Sequence, residues 1–308
     1  MIGFNLHKVR RHFIDELARR FPMREAEQLM RVLLEDLFGI DWKRLLMEPA
    51  LRIEEADYAR LKNAVGQLLE GVPVQYVTGM AWFDGINIKV NPSVLIPRPE
   101  TEELVQRVAD GLAARLNGNL RLTDAEGLPP TGESPLRVWD LCTGSGCIAI
   151  ALAKRFPQVE VKAIDVSPEA IALARENALA HGVEVEFVVD DLLCPQSEVL
   201  TEPVDVVVSN PPYVRESERA AMESNVLDHE PSLALFVPDD DPLRFYRVIL
   251  ELAKPRLTPE GSVWFEINEA MGEELSRLCQ ELGFQPAIHH DFADRPRFLT
   301  AKAPFAKK

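Results

Sequence analysis

Four consecutive residues carry the sharpest chemistry in this chain: Asn210-Pro211-Pro212-Tyr213. Two prolines stiffen the backbone and remove two N–H donors, leaving the local carbonyl oxygens as acceptors. Such a corner can accept both hydrogens of a planar NH2 group, on the Asn210 side-chain oxygen and on the Pro211 carbonyl. An amide nitrogen is a poor nucleophile because its lone pair is delocalised into the carbonyl. Holding both hydrogens localises density on nitrogen and aims it at an electrophile. Tyr213 can stack on the planar group and keep it in line. The motif contains no histidine, so a proton leaving the nitrogen is expected to go to solvent. The residue types alone also allow a plain rigid turn.

A second constellation says which electrophile. The run Asp140-Leu141-Cys142-Thr143-Gly144-Ser145-Gly146-Cys147 follows an apolar strand pattern and opens a helical one. Glycines there let the backbone turn tightly and approach a ligand closely. A dinucleotide fingerprint needs a third glycine where Ala149 stands, which disfavours a dehydrogenase. A phosphate-cradling loop needs Gly-Lys-Ser/Thr, which is absent. Asp140 would repel a pyrophosphate but welcome the methionyl ammonium of S-adenosylmethionine. Asp165 ends the next strand pattern, close to the offset of about 20 residues at which a carboxylate takes ribose hydroxyls. It could instead cap a helix, a role for which Ser167 is better suited. Asp190-Asp191-Leu192 ends a third strand pattern, where a carboxylate could accept from an adenine amino group, although the feature is generic. Without a ligand, the glycine run would be a tight strand-to-helix turn. Taken together, these residues predict methyl transfer to a planar amide or amino nitrogen, with no metal.

These residues need a scaffold that brings strand ends together. Near-continuous apolar strand patterns at 136–141, 159–166, 183–189, 204–209 and 262–267 alternate with helical stretches such as 148–155 and 168–181. That alternation predicts a parallel sheet covered on both faces. The runs 284–290 and 297–303 have no helix between them and predict an antiparallel hairpin at the sheet edge. The first 70 or so residues read as helical: Tyr58, Leu61, Val65 and Leu68 share one face, as do Leu29, Val32, Leu33 and Leu37. Gly71 and Pro73 mark a helix stop. From Val74 to Val94 the period shifts towards two, with a hairpin signal at Asp84-Gly85. Pro99 and the acids after it open a helix with Leu104, Val108 and Leu112 as its stripe. Residues 117–135 read as a surface loop. The expected organisation is a helical domain at 1–72, a β-hairpin connector at 73–97 and a cofactor-binding catalytic domain at 98–308.

Composition narrows the partners. The 308 residues are 46% hydrophobic and 27% charged, the balance of an ordinary globular protein. No apolar run approaches the ~18 residues that span a bilayer. The N-terminus lacks the apolar core of a signal peptide. The four cysteines form no CxxC pair, so neither a zinc site nor a disulfide framework is indicated. A reduced, cytoplasmic setting is expected. The net charge of -15 argues against a dedicated duplex-DNA enzyme and suits a basic protein partner.

The Asp140–Gly146 loop, Asp165 and Asn210–Tyr213 resemble the class I methyltransferases that act on amide or exocyclic nitrogens. The stretches 73–79, 95–103 and 230–235 narrow the likeness to the release factor glutamine N5-methyltransferases, the PrmC/HemK family, and it covers nearly the whole chain. The resemblance implies an α/β fold with a Rossmann-like, seven-stranded, mostly parallel sheet beside a small helical domain. It implies that Thr143, Gly144, Gly146, Asp165 and Asn210 contact S-adenosylmethionine, with Asp191 or Leu192 near the adenine. Asp140, Cys142 and Ser145 complete the expected cofactor set. Asn210, Pro211, Pro212 and Tyr213 would hold the glutamine amide of a Gly-Gly-Gln motif. The expected partner is a peptide chain release factor, bound by a monomer with no direct nucleic-acid or membrane contact. Three departures stand out: Cys142 where the family usually has glycine, Trp82 for a usual acid, and 237–242 without the expected glycines. Rival readings are a ribosomal-protein glutamine methyltransferase and an adenine-N6 methyltransferase, which would flip its base.

Overall fold

The computed structural model describes residues 3–120, 135–195 and 200–302. The chain divides into two compact units: 1–81 with 90–92 and 222–230, and 82–89 with 93–221 and 231–308.

In the first unit, helices α1 (Leu6–Leu17), α2 (Met23–Phe38), α3 (Trp42–Met47), α4 (Glu55–Glu70) and α5 (Val74–Thr78) surround an apolar core. The two-residue strands β1 (Phe4–Asn5) and β2 (Arg52–Ile53) pair antiparallel. Asn5 caps α1 by accepting from the Lys8 N–H at 3.1 Å, a contact worth about 1 kcal/mol. Leu61, Val65 and Leu68 of α4 are buried as their spacing predicts, while Tyr58 is half-buried. On α2 the buried face is Ala26, Met30, Leu33 and Leu34, and Leu29, Val32 and Leu37 are half-buried. The stripe is thus turned slightly from the one expected, towards the small Ala26 and the flexible Met30. Gly71 ends α4 in the left-handed conformation, at φ 99. Residues 74–78, within the stretch of period two, form a helical turn closed by Gly79 at φ 75.

Strands β3 (Met80–Phe83) and β4 (Ile86–Lys89) form the expected hairpin, with Asp84 and Gly85 at φ 48 and 80. Two consecutive left-handed residues match the twist of paired strands. In the second unit α6 (Pro99–Leu120) precedes β5 (Arg137–Leu141), α7 (Cys147–Arg155), β6 (Glu160–Asp165), α8 (Pro168–His181), β7 (Glu186–Val189) and β8 (Val204–Ser209). Helix α6 runs four residues into the stretch expected as loop, since its apolar spacing continues through Leu116; 121–134 lie outside the described residues. The strand expected at 183–189 begins only at Glu186, because Gly182 ends α8 and the chain must first turn.

Short β9 (Val214–Arg215) and β10 (Phe236–Val237) pair in parallel. Between them lies α9 (Ser224–His229), assigned to the first unit. Then follow α10 (Arg244–Ala253), β11 (Leu257–Glu266), α11 (Gly272–Glu281), β12 (Gln285–His290) and β13 (Pro296–Lys302). Strand β11 starts earlier than expected and carries an irregularity between Leu257 and Ser262.

The seven-stranded sheet has the order β12-β13-β11-β8-β5-β6-β7. It is parallel from β11 to β7, and β13 runs antiparallel to both neighbours. This is the α/β architecture and edge hairpin that the strand pattern predicts. Trp139, Val207, Tyr246, Phe265 and Leu299 are among its buried core residues. Among the described residues no helix is long and apolar enough to cross a membrane.

Candidate active site

Strand register brings the motifs together. Leu141 lies opposite Ile164 on one side and Ser209 on the other, and Ser209 lies opposite Phe265. The residues just past these pairs are Cys142, Asp165, Asn210 and Glu266, so four strand ends meet at one carboxyl edge. The Ser209 hydroxyl donates to the Leu141 carbonyl and links the two motif-bearing strands. Ligands of open α/β sheets bind outside this edge.

The glycine run makes the turn that residue types predict. Cys142, Gly144 and Gly146 have φ of 63, 56 and 80. A glycine is at home in that region, whereas Cys142 is strained there by about 1–2 kcal/mol. Burial, with the Asp165 and Asp140 charges adding to it, pushes the Cys142 thiol pKa well up. A Cβ on Gly146 would stand 3.0 Å from the Ala174 Cβ, so this glycine permits helix packing. A Cβ on Gly144 would meet no protein atom within 4 Å, although Gly144 lines a cavity. Asn177 steadies the loop, donating to the carbonyls of Ser145 and Lys89 at 3.0 Å each.

That cavity is about 410 Å3, within the range of small-ligand sites. Cys142, Thr143, Gly144, Ser145, Asp165, Asp191, Leu192, Asn210 and Pro212 contribute to its wall. Asp140 lies beneath, fully buried. Its Oδ2 accepts from the Thr143 hydroxyl at 2.5 Å and the Ala149 N–H at 3.1 Å, while Oδ1 has no protein partner. Burial, aided by the Asp165 charge, pushes the Asp140 carboxyl to about 7. Buried polar atoms are normally satisfied, so this oxygen suits an incoming donor such as an ammonium. Ser145 Oγ is likewise buried without a partner.

Asp165 accepts from the Gly144 N–H at 2.8 Å on Oδ2 and the Ser167 N–H at 3.0 Å on Oδ1. Each oxygen keeps acceptor capacity for a hydroxyl. Burial raises its pKa. The capping role falls to Ser167, whose Oγ accepts from the Ala170 N–H at 3.1 Å. Asp191 accepts from the Leu193 N–H at 2.9 Å beside buried Leu192. An unpartnered buried carboxylate oxygen, a second carboxylate with spare acceptor capacity and a third beside an apolar wall are an acceptor set that suits S-adenosylmethionine.

At the other end, Asn210 and Pro212 line the cavity, and Pro211 is buried outside its wall. Tyr213 packs against the core and donates its hydroxyl to Glu266 Oε1 at 3.0 Å. The Asn210 Nδ2 donates to Thr101 Oγ1 at 3.2 Å, and the Thr101 hydroxyl donates to Glu266 Oε2 at 2.7 Å. Asn268 Nδ2 donates to the Tyr213 carbonyl at 3.3 Å. Sequence reasoning missed Thr101, Glu266 and Asn268 as parts of this site. The available signal was Glu266 itself, a charge in the apolar run Val263-Trp264-Phe265-Glu266-Ile267. Among the described residues no cluster of three or more His, Cys, Asp or Glu could hold a metal.

Known proteins share this arrangement of sequence. The methyltransferase small domain matches residues 126–230, and the PrmC N-terminal domain matches residues 8–79. A release factor glutamine methyltransferase from Flavobacterium psychrophilum is 39% identical over 90% of this chain and 91% of its own. That from Bacteroides thetaiotaomicron is 38% identical over 96% and 99% respectively. That from Lactococcus lactis subsp. lactis is 33% identical over 87% and 90%. A crystal structure of ribosomal protein L11 methylase from Lactobacillus delbrueckii subsp. bulgaricus aligns with 70% of this chain and 84% of its own, at 20% identity and a TM-score of 0.42. By identity sustained across both units, the chain belongs to the release factor glutamine methyltransferase family.

Proposed function

We propose that this S-adenosylmethionine-dependent methyltransferase modifies the side-chain amide nitrogen, N5, of the glutamine in the Gly-Gly-Gln motif of peptide chain release factors. The observation that supports the reading is the register of β5 with β8, with Asn210 and Pro212 in the wall of the cavity that the glycine loop also lines. A donor-poor corner suits an NH2 group better than a hydroxyl or a carbon, because two acceptors match two N–H donors.

When bound, S-adenosylmethionine supplies a methyl on a sulfonium sulfur, which leaves as a neutral thioether while nitrogen takes the methyl and sheds a proton to water. The Asp140 Oδ1 would accept from the methionyl ammonium, Asp165 from the ribose hydroxyls, and Asp191 beside Leu192 from the adenine amino group. Asn210 Oδ1 and the Pro211 carbonyl would accept the two amide hydrogens and orient the nitrogen. Tyr213 and Pro212 would restrict the amide to one plane. Catalysis on this reading is orientation and electrostatics, with no general acid.

The same reading assigns recognition of the release factor to the helical residues 1–72 and a connecting role to 73–97. It takes the working form to be a cytoplasmic monomer without direct nucleic-acid contact. The test is incubation with labelled cofactor and purified release factor, followed by mass mapping. A single methyl on the Gly-Gly-Gln glutamine is expected. Label on a ribosomal protein or on adenine, with none on the release factor, would overturn the substrate.

A further inference from the structure

We propose that Glu266, acting through Thr101, fixes which end of the Asn210 amide faces the substrate, an inference that rests on the role given above to Asn210. An asparagine amide has a donor end and an acceptor end of nearly the same shape. Only the acceptor end can receive an N–H from a substrate NH2 group. Rotating the amide by half a turn would set NH2 against NH2. Something must therefore select the orientation, and the Asn-Pro-Pro-Tyr run contains no residue that does so.

The selection follows from the polarity of a three-residue chain. A carboxylate only accepts, and both Glu266 oxygens do so, from Thr101 at 2.7 Å and from Tyr213 at 3.0 Å. A threonine hydroxyl has one hydrogen. Once that hydrogen is given to Glu266, Thr101 Oγ1 can only accept, and it accepts from Asn210 Nδ2 at 3.2 Å. The donor end of Asn210 is thereby anchored, and Oδ1 is left to serve the substrate. Thr101 and Glu266 are 2% and 1% exposed, so exchange with bulk water does not scramble the polarity.

The frame around the chain is braced from other elements. Tyr246 donates its hydroxyl to the Glu266 carbonyl at 3.1 Å, and Asn268 holds the Tyr213 carbonyl. Burial pushes the Glu266 carboxyl pKa up, while the Thr101 and Tyr213 donors and the Arg297 charge oppose that shift. Glu266 and Thr101 are thus positioning residues, and Asn210 is the group that touches the substrate.

The test uses the full-length enzyme with a release factor, measuring kcat, KM and S-adenosylhomocysteine affinity. Thr101→Val keeps the shape and removes the relay. It is expected to lower kcat roughly 10- to 100-fold, the scale of a misplaced active-site group. KM and S-adenosylhomocysteine affinity should stay within about threefold. Thr101→Ser restores the hydroxyl and should recover most of kcat. Glu266→Gln should act in the same direction as the valine variant, because its amide can donate to Thr101 and permit the inverted chain. If that variant fails to fold, the Thr101 pair still decides. Wild-type kcat in Thr101→Val, or a serine variant as impaired as the valine one, overturns the proposal.

A readout free of turnover separates the two readings. Solvent exchange of the Asn210 side-chain NH2, followed by NMR on asparagine-labelled protein, should be slow in wild type and fast in Thr101→Val. Equal exchange rates overturn the lock. A wild-type enzyme that exchanges slowly yet leaves the release factor unmodified sinks the substrate assignment and not the lock.

Discussion

The two ends of the cavity are organised in different ways. At the glycine-loop end, backbone N–H groups hold most of the carboxylate oxygens, Ala149 on Asp140, Gly144 and Ser167 on Asp165, Leu193 on Asp191, with the Thr143 hydroxyl also on Asp140. At the Asn210 end, side chains hold side chains across long stretches of chain. Asn210 and Thr101 are 109 residues apart, and Thr101 and Glu266 are 165 apart. A backbone donor comes with the turn that carries it and survives most substitutions. A side-chain relay fails when any one member is changed. On the proposed function, the glycine-loop end should respond to mutation by weaker cofactor affinity, whereas the Asn210 end should fail in the chemical step.

The largest effect should come from Asn210→Ala. Losing a preorganised polar contact at the reacting group lowers kcat by about 10^2–10^3, while S-adenosylhomocysteine binding falls much less. Asp165→Asn should show the opposite split. Weakening charged hydrogen bonds worth ~1.5–3 kcal/mol raises KM for the cofactor roughly 10- to 100-fold, with kcat nearly kept. Steady-state kinetics of the two variants side by side would break the comparison if both lowered kcat alone.

An intermediate effect concerns pH. In the cofactor-free protein Asp140 keeps its proton up to about pH 7, against 3.8 for an ordinary aspartate. The folded state therefore binds more protons than the unfolded one in that interval, and this group's contribution to stability falls as pH rises through it. An ammonium beside Oδ1 favours the carboxylate, so binding releases a proton. Calorimetry with S-adenosylhomocysteine should show affinity weakening below about pH 7, by up to about tenfold per pH unit. Asp140→Asn should flatten that profile. A flat wild-type profile would detach Asp140 from the ligand.

The smallest effects sharpen the contrast within the loop. Gly144→Ala should lower stability by only about 1 kcal/mol, from its left-handed backbone, yet weaken cofactor binding by placing a methyl in the cavity. Gly146→Ala adds contacts of 3.0 and 3.1 Å with Ala174 and Ile150. Thermal unfolding should place it about 1–2 kcal/mol below Gly144→Ala. Equal melting temperatures would remove the distinction.

Much of the fold was legible because its signals are local. Five near-continuous apolar runs alternating with helices predicted the parallel sheet, and β8 falls on the expected residues, 204–209. Ser167 caps α8, the role for which its residue type suited it. The misses have local causes too. Residues 74–78 are few, and three of them (Val74, Val77 and Thr78) are β-branched; they form a helical turn between Pro73 and Gly79. On α2, counting large side chains favoured Leu29 and Val32 over the small Ala26, which is fully buried.

Sequence alone determined that a glycine turn, two carboxylates and an Asn-Pro-Pro-Tyr corner each end a strand, because every one is written in adjacent residues. Only the tertiary structure decided that Thr101 and Glu266 stand behind Asn210. Glu266 is a charge in an apolar run, but nothing near it in sequence names its partner; the partnership exists only because the sheet sets β11 next to β8 and α6 brings Thr101 to the same edge. A hydrogen bond's direction depends on what its partner has left to give, and that is a property of neighbours in space rather than along the chain.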